Sequence, residues 1–165
     1  MMSGLESGIA FRPGTPSDGE ALLSVHTRAV EITSAREYGE AIARSWIFGL
    51  TADGYGQSMT AGEEFDVAEA DGHVVAFCGV KDDEICGLYV DPAYGRRGIG
   101  RALLRRAMSR ISARGHTHIR VVASLTAVPL YREHGFEIVR HRQKRSRGGL
   151  DMQVVDMECN SRTGT

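Results

Sequence analysis

Apolar and polar positions alternate along several short runs of the chain, whereas between residues 99 and 111 apolar positions recur every fourth residue. Alternation is typical of strands with one buried face, and the fourfold spacing is typical of an amphipathic helix. The alternating and β-branched runs predict strands over residues 9–13, 64–70, 73–80, 85–90, 117–123, 136–141 and 152–157. The dipeptide Asp71-Gly72 is a strong turn signal that joins two of these strands as a hairpin.

Helical spacing predicts helices between these strands. One begins near Asp18, a second covers residues 35–46, a third covers residues 98–114, and a fourth follows Thr126 and ends at Gly135. Residues 49–62 are rich in glycine and residues 140–147 are rich in arginine, so both stretches are predicted as loops. The arginine-rich loop is expected either to be solvated, or to form a lip over a substrate site or a contact with a phosphate.

These elements predict an α/β (α+β) fold with a single domain over residues 1–160 and a tail at residues 161–165. The sheet is expected to be mixed, mostly antiparallel and twisted, with six or seven strands flanked by about four helices. Because a helix connects residues 85–90 to residues 117–123, these two strands are expected to be parallel neighbours. A chain of 165 residues can bury one sizeable core, which agrees with a single domain.

The most informative stretch, ICGLYVDPAYGRRGIGRALLRR, joins a strand to a helix through a glycine-rich turn. The helix begins with the Gly-Ile-Gly of residues 98–100, and the first N–H groups of a helix bind anions because they have no partner inside it. Arg96, Arg97 and Arg101 crowd this helix start, although the helix dipole disfavours cations there. A bound polyanion would reverse that effect, and the alternative is that all three arginines are solvated.

Charge is distributed unevenly, although the formal net charge is only −1. Residues 94–147 contain 14 of the 20 Lys and Arg residues but only two of the 21 Asp and Glu residues, Glu133 and Glu137. This region favours an anionic partner, either a phosphorylated cofactor or nucleic acid. Acidic residues around Tyr38 and Trp46 allow a pocket for a cationic amine, besides the simpler interpretation of a solvated acidic face.

Composition predicts a soluble, cytoplasmic protein. Hydrophobic residues make up 42% of the chain and charged residues 25%. No apolar run approaches the ~18 residues of a membrane-spanning helix, and the first residues, MMSGLESG, do not resemble a signal peptide. Cys78, Cys86 and Cys159 lack metal-site spacing and are expected to be thiols in a reducing compartment. His116 and His118 would share one face of a strand, but no third ligand accompanies them, so no metal is expected.

Two motifs resemble those of the GNAT superfamily of acetyltransferases. The turn GRRGIG resembles the family's pyrophosphate loop, Gln/Arg-x-x-Gly-x-Gly/Ala, with Gly98 and Gly100 at the matching positions and Gly95 where Gln or Arg is usual. The stretch SLTAVPLYREHGF, from Ser124 to Phe136, resembles the Asn/Ser-x-x-Ala-x-x-x-Tyr-x-x-x-Gly-Phe motif that follows this loop. The chain is therefore identified as a member of this superfamily, and a GNAT-like sheet is expected.

The resemblance implies an N-acetyltransferase that moves the acetyl group of acetyl-CoA to a primary amine by direct attack on the thioester. An alkyl amine is a cation at pH 7, so the reaction needs a base, a donor to the thioester carbonyl and an acid for the thiolate. The N–H of Leu88 is the expected donor, and the phenol of Tyr131 is the expected acid. The residues expected to bind coenzyme A are Leu88, Tyr89, Val90, Arg96, Arg97, Gly98, Ile99, Gly100, Arg101, Ser124, Ala127 and Tyr131.

The expected base is Glu84, because some protein-acetylating members of the superfamily carry a glutamate at this offset from the donor residue. Residues an even number apart in a strand share a face, so Glu84, Cys86 and Leu88 are expected along one side. A bulge near Gly87 would let this strand separate from its parallel neighbour. A solvent-exposed glutamate at the start of a strand is the alternative.

Two other classes of function stay open. A catalytically inactive module would bind or sense acyl-CoA, but the presence of both Tyr131 and Glu84 favours an enzyme. A nucleic-acid binder would need Tyr131 and Phe136 exposed for stacking, whereas their motif positions predict burial. No nucleic-acid or membrane partner is expected. A homodimer is compatible with the resemblance, since many members of the superfamily are dimers, and the acceptor is left as a small-molecule or peptide amine.

Overall fold

A seven-stranded sheet forms the centre of the protein in the computed structural model, which describes residues 8–160. The strands are β1 (Ile9–Pro13), β2 (Glu64–Ala70), β3 (His73–Lys81), β4 (Glu84–Val90), β5 (His118–Ser124), β6 (Glu137–Arg145) and β7 (Asp151–Asn160). Their order in the sheet is β1-β2-β3-β4-β5-β7-β6. The pair β4–β5 is parallel and all other neighbouring pairs are antiparallel, which confirms the predicted mixed sheet. The tail predicted at residues 161–165 lies outside the described residues.

The helices flank this sheet. They are α1 (Gly19–Arg28), α2 (Ala35–Tyr38), α3 (Glu40–Ile47), α4 (Ala52–Thr60), α5 (Ile99–Ala113) and α6 (Val128–Glu133). A π-helical segment, Ala29–Ser34, continues α1 into α2, and Gly39, with φ of +84°, separates α2 from α3. Within residues 8–160, no helix is long and apolar enough to cross a membrane.

The glycine-rich stretch predicted as a loop contains helix α4. Thr51 caps this helix, because its hydroxyl accepts a hydrogen bond from the Gly54 N–H at 3.2 Å. Tyr55 of α4 is buried in the core with Phe77 of β3. The loop prediction was wrong because a glycine costs only about 1 kcal/mol in a helix, and the burial of one aromatic side chain outweighs that cost.

The arginine-rich stretch predicted as a loop mostly belongs to strand β6. Carboxylates on the neighbouring strand β7 pair with three of its arginines. Arg140 and Arg142 both contact Asp156, at 2.6 and 2.8 Å, and Arg145 contacts Asp151 at 3.3 Å. The prediction ended the strand too early, since sequence alone does not show which acidic residues face these arginines across the ladder.

Two hydrophobic cores cover the two faces of the sheet. On one face, α5 contributes Leu103 and Ile111, which are fully buried. On the other face, Leu22 of α1 and Tyr55 of α4 pack with Phe77 of β3. Each large apolar side chain that is buried contributes roughly 1.5–3 kcal/mol, so both helical layers are fixed firmly to the sheet between them.

Candidate functional site

Strands β4 and β5 are paired at one end only and then separate. Their pairing consists of Glu84 with Arg120 and Ile85 with Val121, so residues 86–90 of β4 have no partner on β5. The prediction that these strands are parallel neighbours connected by a helix is confirmed. Their separation leaves a gap in the middle of the sheet.

The main-chain polar groups of two β4 residues face this gap. The Asp91 N–H donates to the Val75 carbonyl at 2.8 Å, which marks a hydrogen-bonded pair between β4 and β3. In an antiparallel ladder such pairs alternate with pairs whose N–H and C=O groups point away from the partner strand. The register of β3 and β4 places Leu88 and Val90 in the outward-pointing pairs. Both residues therefore direct their N–H and C=O groups toward the gap.

A β-bulge interrupts β4 before these residues. Gly87 pairs with Gly79 of β3, whereas Ile85 pairs with Val80, so Cys86 is the extra residue. A bulge bends and twists the strand that carries it. The bulge expected near Gly87 is confirmed, and it lies where β4 begins to leave β5.

Because of this bulge, Glu84 and Leu88 lie on opposite faces of the sheet. Leu88 packs against the core on the α5 side. Glu84 lies 3.8 Å from Arg120 and borders a cavity that also contains Arg140, on the other face. The prediction that Glu84, Cys86 and Leu88 share one side was wrong, because the even-number rule holds only for a regular strand.

Helix α5 begins beside the gap. Gly98 has a left-handed conformation, with φ of +80°, and its carbonyl accepts the first hydrogen bond of the helix at 3.1 Å. The N–H groups of residues 98–101 precede that bond and have no partner within the helix. A Cβ atom on Gly100 would lie 3.5 Å from Val90 and 3.8 Å from Leu130. The start of α5, the end of β4 and α6 therefore meet at Gly100.

The three arginines at this helix start make different contacts. Arg96 is exposed and has a positive φ of +62°, which is uncommon for a residue other than glycine. The guanidinium of Arg97 lies 5.2 Å from the ring centroid of Tyr94. Arg101 forms an ion pair of 3.1 Å with Glu133 of α6. Positive charge thus surrounds the free N–H groups, and Arg101 also connects α5 to α6.

Tyr131 is buried in the core on the α5 side of the sheet. Its ring packs edge-on against Phe136, with the ring centroids 5.3 Å apart, and its hydroxyl makes no hydrogen bond to another of residues 8–160. Burial raises the pKa of Tyr131 well above its ordinary value, so the phenol keeps its proton at neutral pH. Burial of both rings also removes the stacking surface that a nucleic-acid binder would use.

Ser124 and Ala127 form the start of α6. The Ala127 N–H donates to the Ser124 hydroxyl at 3.2 Å and to the Ser124 carbonyl at 3.0 Å. The Thr126 hydroxyl, by contrast, is buried without a hydrogen-bond partner among residues 8–160. Nearby, the Leu125 N–H donates to the Tyr38 hydroxyl at 2.8 Å. These contacts fix the end of β5 on the far side of the gap from β4.

The side chain of Tyr89 lies on the sheet face away from α5, although its main chain borders the gap. Its ring centroid is 4.0 Å from that of His26. Burial raises the pKa of Tyr89, and its ring lies edge-on to Trp46, with the ring centroids 6.4 Å apart. Tyr89 therefore forms part of a cavity wall as well as the strand that carries Leu88.

That cavity, of about 600 Å³, contains Glu63, His26 and Tyr55, which the sequence did not single out, and Arg147 of the arginine-rich stretch, for which a lip over a substrate site was one expectation. Burial raises the pKa of Glu63, and burial together with the charge of Arg147 lowers the pKa of His26 to about 4. These four residues come from separate parts of the chain and belong to no motif. Only folding brings them together; the arginine-rich stretch was the sequence signal for Arg147, and the other three residues had none.

A strand gap beside a helix start that can bind an anion is the arrangement expected of a GNAT acetyltransferase, and sequence comparison agrees. Residues 34–160 match the sequence model of the Acetyltransferase (GNAT) domain family. The chain belongs to this family. YafP, an uncharacterized N-acetyltransferase of Escherichia coli strain K12, is 28% identical over 142 residues, which cover 86% of this chain and 90% of YafP.

Solved structures show the same fold. A GCN5-related N-acetyltransferase from Rhodopseudomonas palustris has a TM-score of 0.87 at 24% identity, covering 94% of this chain and 98% of that one. PaiA N-acetyltransferase from Thermoplasma acidophilum, solved with coenzyme A, has a TM-score of 0.69 at 22% identity and coverages of 92% and 98%. The putative acetyltransferase yncA from Salmonella typhimurium, solved with acetyl-CoA, has a TM-score of 0.74 at 19% identity and coverages of 96% and 97%.

Proposed function

We propose that this protein is an N-acetyltransferase that transfers the acetyl group of acetyl-CoA to a primary amine by direct attack on the thioester. The gap between β4 and β5 carries the proposal, because it presents the main-chain groups of Leu88 and Val90 next to the start of α5. A pantetheine arm contains amides that can pair with such a strand edge. The neighbours solved with coenzyme A and acetyl-CoA support this choice of cofactor.

The residues at the start of α5 fit the pyrophosphate of coenzyme A. The N–H groups of residues 98–101 and the positive end of the helix dipole favour a bound anion. Arg96 and Arg97 add positive charge at the same place. Gly100 has no side chain that would fill the space between α5 and the end of β4. Together with Ser124 and Ala127 at the far side of the gap, these residues form the proposed cofactor site.

Two residues of this site have proposed roles in the chemical step. The N–H of Leu88, which faces the gap, stabilises the negative charge that develops on the thioester oxygen. The phenol of Tyr131, which keeps its proton at neutral pH, protonates the departing thiolate. The proton acceptor predicted from the sequence is Glu84, and that role stays a prediction; in the structure this carboxylate lies beside Arg120.

The replacement Gly100→Glu tests the cofactor site. A carboxylate here would place negative charge and bulk where the pyrophosphate is proposed to bind, so we expect the affinity for coenzyme A to fall at least ~100-fold, which is about 2.7 kcal/mol. Isothermal titration calorimetry with coenzyme A measures this change. Circular dichroism shows whether the variant stays folded.

Gly100→Ala is the matched control, since its Cβ would make only ordinary contacts at 3.5 and 3.8 Å and should leave the affinity near that of the original protein. Unchanged affinity in a folded Gly100→Glu protein would mean that the cofactor binds elsewhere. Binding of acetyl-CoA without transfer to any amine would support an acyl-CoA-binding module instead of an enzyme.

A further inference from the structure

The cavity on the face away from α5 extends to the gap where the thioester is proposed to bind. Gly87 and Cys86 of β4 border it, and Gly87 directly precedes Leu88. A second cavity of about 410 Å³ shares Cys86 and Tyr89 with the first and reaches Ser124 at the end of β5. The two cavities together approach the gap from the face opposite to the one on which α5 packs.

Glu63 is a half-buried carboxylate in this cavity; the charge of Lys81 lowers its pKa and that of Glu84 raises it, but burial has the larger effect. It lies directly before β2, and its Oε2 atom is only 2.0 Å from the place where a Cβ on Gly79 would be. Glycine at position 79 thus lets the carboxylate lie flat on β3. No hydrogen bond or ion pair joins the Glu63 side chain to another of residues 8–160. Burial raises the pKa of Glu63, the change that suits a group accepting a proton near neutral pH.

The position of Glu63 also suits a reaction at Leu88. Gly79, which the carboxylate covers, pairs with Gly87 on β4. Neighbouring strands are roughly 5 Å apart, so Glu63 is about one strand spacing from the residue that precedes the proposed carbonyl donor. Glu84, by contrast, borders a different cavity and has Arg120 as a neighbour.

Aromatic rings surround the space next to this carboxylate. Tyr55, Phe77 and Tyr89 line the cavity, with ring centroids 6.0 Å apart for Tyr55–Phe77 and 5.5 Å apart for Phe77–Tyr89. His26 lies among them, and its buried Nε2 atom has no hydrogen-bond partner within residues 8–160. Aromatic faces attract cations, so these rings and a carboxylate form a suitable site for an alkylammonium group.

Arg147 provides the opposite charge at the other side of the cavity. Its Nε donates to the Phe48 carbonyl at 2.8 Å and one of its terminal nitrogens donates to the Gly49 carbonyl at 3.3 Å. A guanidinium has five N–H groups, so these bonds hold the side chain while others remain available to a ligand. No carboxylate among residues 8–160 pairs with Arg147. The adjoining turn is anchored by the Gly148 N–H, which donates to the Ser45 carbonyl at 2.8 Å.

We propose that the acceptor is a small molecule that carries both a primary amine and an anionic group, such as a free amino acid. The ammonium binds between Glu63 and the aromatic rings, the anionic group binds Arg147, and Glu63 accepts the proton that the ammonium must lose. This inference rests on the proposed acetyltransferase function. It names the acceptor class and places the base on Glu63 rather than on Glu84.

The ammonium gives one proton to Glu63, and the freed lone pair forms a C–N bond to the thioester carbon. The C–S bond then breaks, and Tyr131 gives its proton to the thiolate. The nitrogen loses a second proton, which restores Tyr131, while Glu63 releases its proton to solvent. The products are the N-acetylated acceptor and free coenzyme A.

The acceptor class is tested with three sets of amines: the common L-amino acids, the carboxamide of each, and tetra-alanine. The carboxamides keep the amine but lack the anionic group, and tetra-alanine represents a peptide N-terminus. Coenzyme A release measures transfer, and calorimetry on protein saturated with coenzyme A measures acceptor binding without turnover. We expect at least one free amino acid to exceed its carboxamide ~10–100-fold in kcat/KM, the loss expected when a hydrogen-bonded charge goes unmatched. Arg147→Ala should remove this preference, whereas the exposed Arg105→Ala should not.

The base is tested with Glu63→Gln, which keeps the shape of the side chain. We expect turnover at pH 7 to fall ~100-fold or more and the acidic limb of the pH–rate profile to disappear, with unchanged affinity for coenzyme A. Glu64→Gln is the matched control, since the adjacent Glu64 is exposed and pairs with Arg114. Glu84→Gln provides the comparison between the two candidate carboxylates.

Three results would overturn this inference. The first is a kcat/KM for the carboxamides or for tetra-alanine that equals that for the free amino acids. The second is that no amino acid binds or reacts. The third is a pH–rate profile that Glu84→Gln changes and Glu63→Gln does not. If the protein does not bind coenzyme A at all, the proposed function itself is wrong. Coenzyme A binding without the expected acceptor preference refutes only the further inference.

Discussion

At the scale of single residues, burial determines the protonation states on both sides of β4. Tyr131 on the α5 side has a pKa well above its ordinary value, and His26 on the other side has a pKa of about 4. In both cases burial disfavours the charged form, so the phenol stays protonated and the imidazole stays neutral at pH 7. Both residues therefore act in their neutral forms. The effect of Tyr131 is expected in turnover, and that of His26 in the pH dependence of stability.

For Tyr131→Phe, we predict a loss of turnover of ~10²–10⁴-fold, the usual contribution of general acid catalysis. The hydroxyl matters mainly in the transition state, so the affinity for acetyl-CoA should stay nearly unchanged. Steady-state kinetics and calorimetry check the two parts separately. Turnover equal to that of the original protein would reduce Tyr131 to a structural role.

For His26, we predict a pH-dependent contribution to stability. Its pKa falls from 6.5 to about 4 on folding, so the unfolded chain binds more protons between these values. Above pH 6.5 the neutral His26 therefore costs no stability. As the pH falls from 6.5 to 4, the free energy of unfolding decreases by about 3 kcal/mol because of this residue. Urea unfolding at pH 7 and pH 4.5 should show a smaller pH-dependent loss for His26→Phe than for the original protein. The exposed His141→Phe is the control, and equal losses in all three proteins would contradict the prediction.

At the scale of elements, the wall formed by α1 and α4 depends on a close approach between the two helices. A Cβ on Gly19 would lie 2.4 Å from the Ala52 carbonyl oxygen. Neither helix can move away without exposing Tyr55, which packs with Leu22 in the core beneath them. The cavity that contains Glu63 therefore has a wall whose position is determined by helix packing.

We predict that Gly19→Ala destabilises the protein by about 1–3 kcal/mol, because the clash with the backbone of α4 cannot be relieved by a side-chain rotation. Gly54→Ala, within α4, is the control: its Cβ would meet only the Thr51 hydroxyl at 3.4 Å, so it should be neutral or stabilise by up to ~1 kcal/mol. The midpoint of urea unfolding measures both changes. Equal midpoints for the two variants would mean that α4 adjusts freely.

At the scale of the whole molecule, an ion pair between strand β2 and helix α5 connects the α5 layer to the sheet. Asp66 of β2 has a side chain that is only 3% exposed, and it pairs with Arg106 of α5. A second contact joins the Arg106 Nη2 to the Asp66 Oδ1 at 3.2 Å, and the guanidinium lies 4.9 Å from the Phe11 ring centroid. This pair fixes α5 relative to β1 and β2, and with it the helix start at the gap.

We predict that Arg106→Ala destabilises the protein by about 2–4 kcal/mol, because it leaves the buried Asp66 carboxylate without a partner. Loss of a fully buried pair costs more, but Arg106 is partly exposed and solvent screens its charge. Arg105→Ala, on the exposed side of α5, should change stability by less than ~0.5 kcal/mol. Calorimetric melting of both variants provides the comparison, and equal melting temperatures would contradict the prediction.

Local patterns in the sequence were sufficient for most of the sheet. Asp71 and Gly72 both have positive φ values, of +52° and +78°, which the hairpin signal predicted. The helix start at residues 98–100 was likewise predicted from glycine spacing, because glycine allows a left-handed conformation at low cost. These features depend on residues close together in the chain, so their physical causes are visible in the sequence.

Tertiary structure alone decided the rest. The sequence indicated a bulge near Gly87, but only the register between β3 and β4 makes Cys86 the extra residue and places Glu84 and Leu88 on opposite faces. The cavity around Glu63 and Arg147 joins residues that are distant in sequence. A desolvated carboxylate, and a guanidinium that bonds two main-chain carbonyls but no carboxylate within residues 8–160, are defined by what surrounds them. Those surroundings exist only after the sheet and its helices have packed.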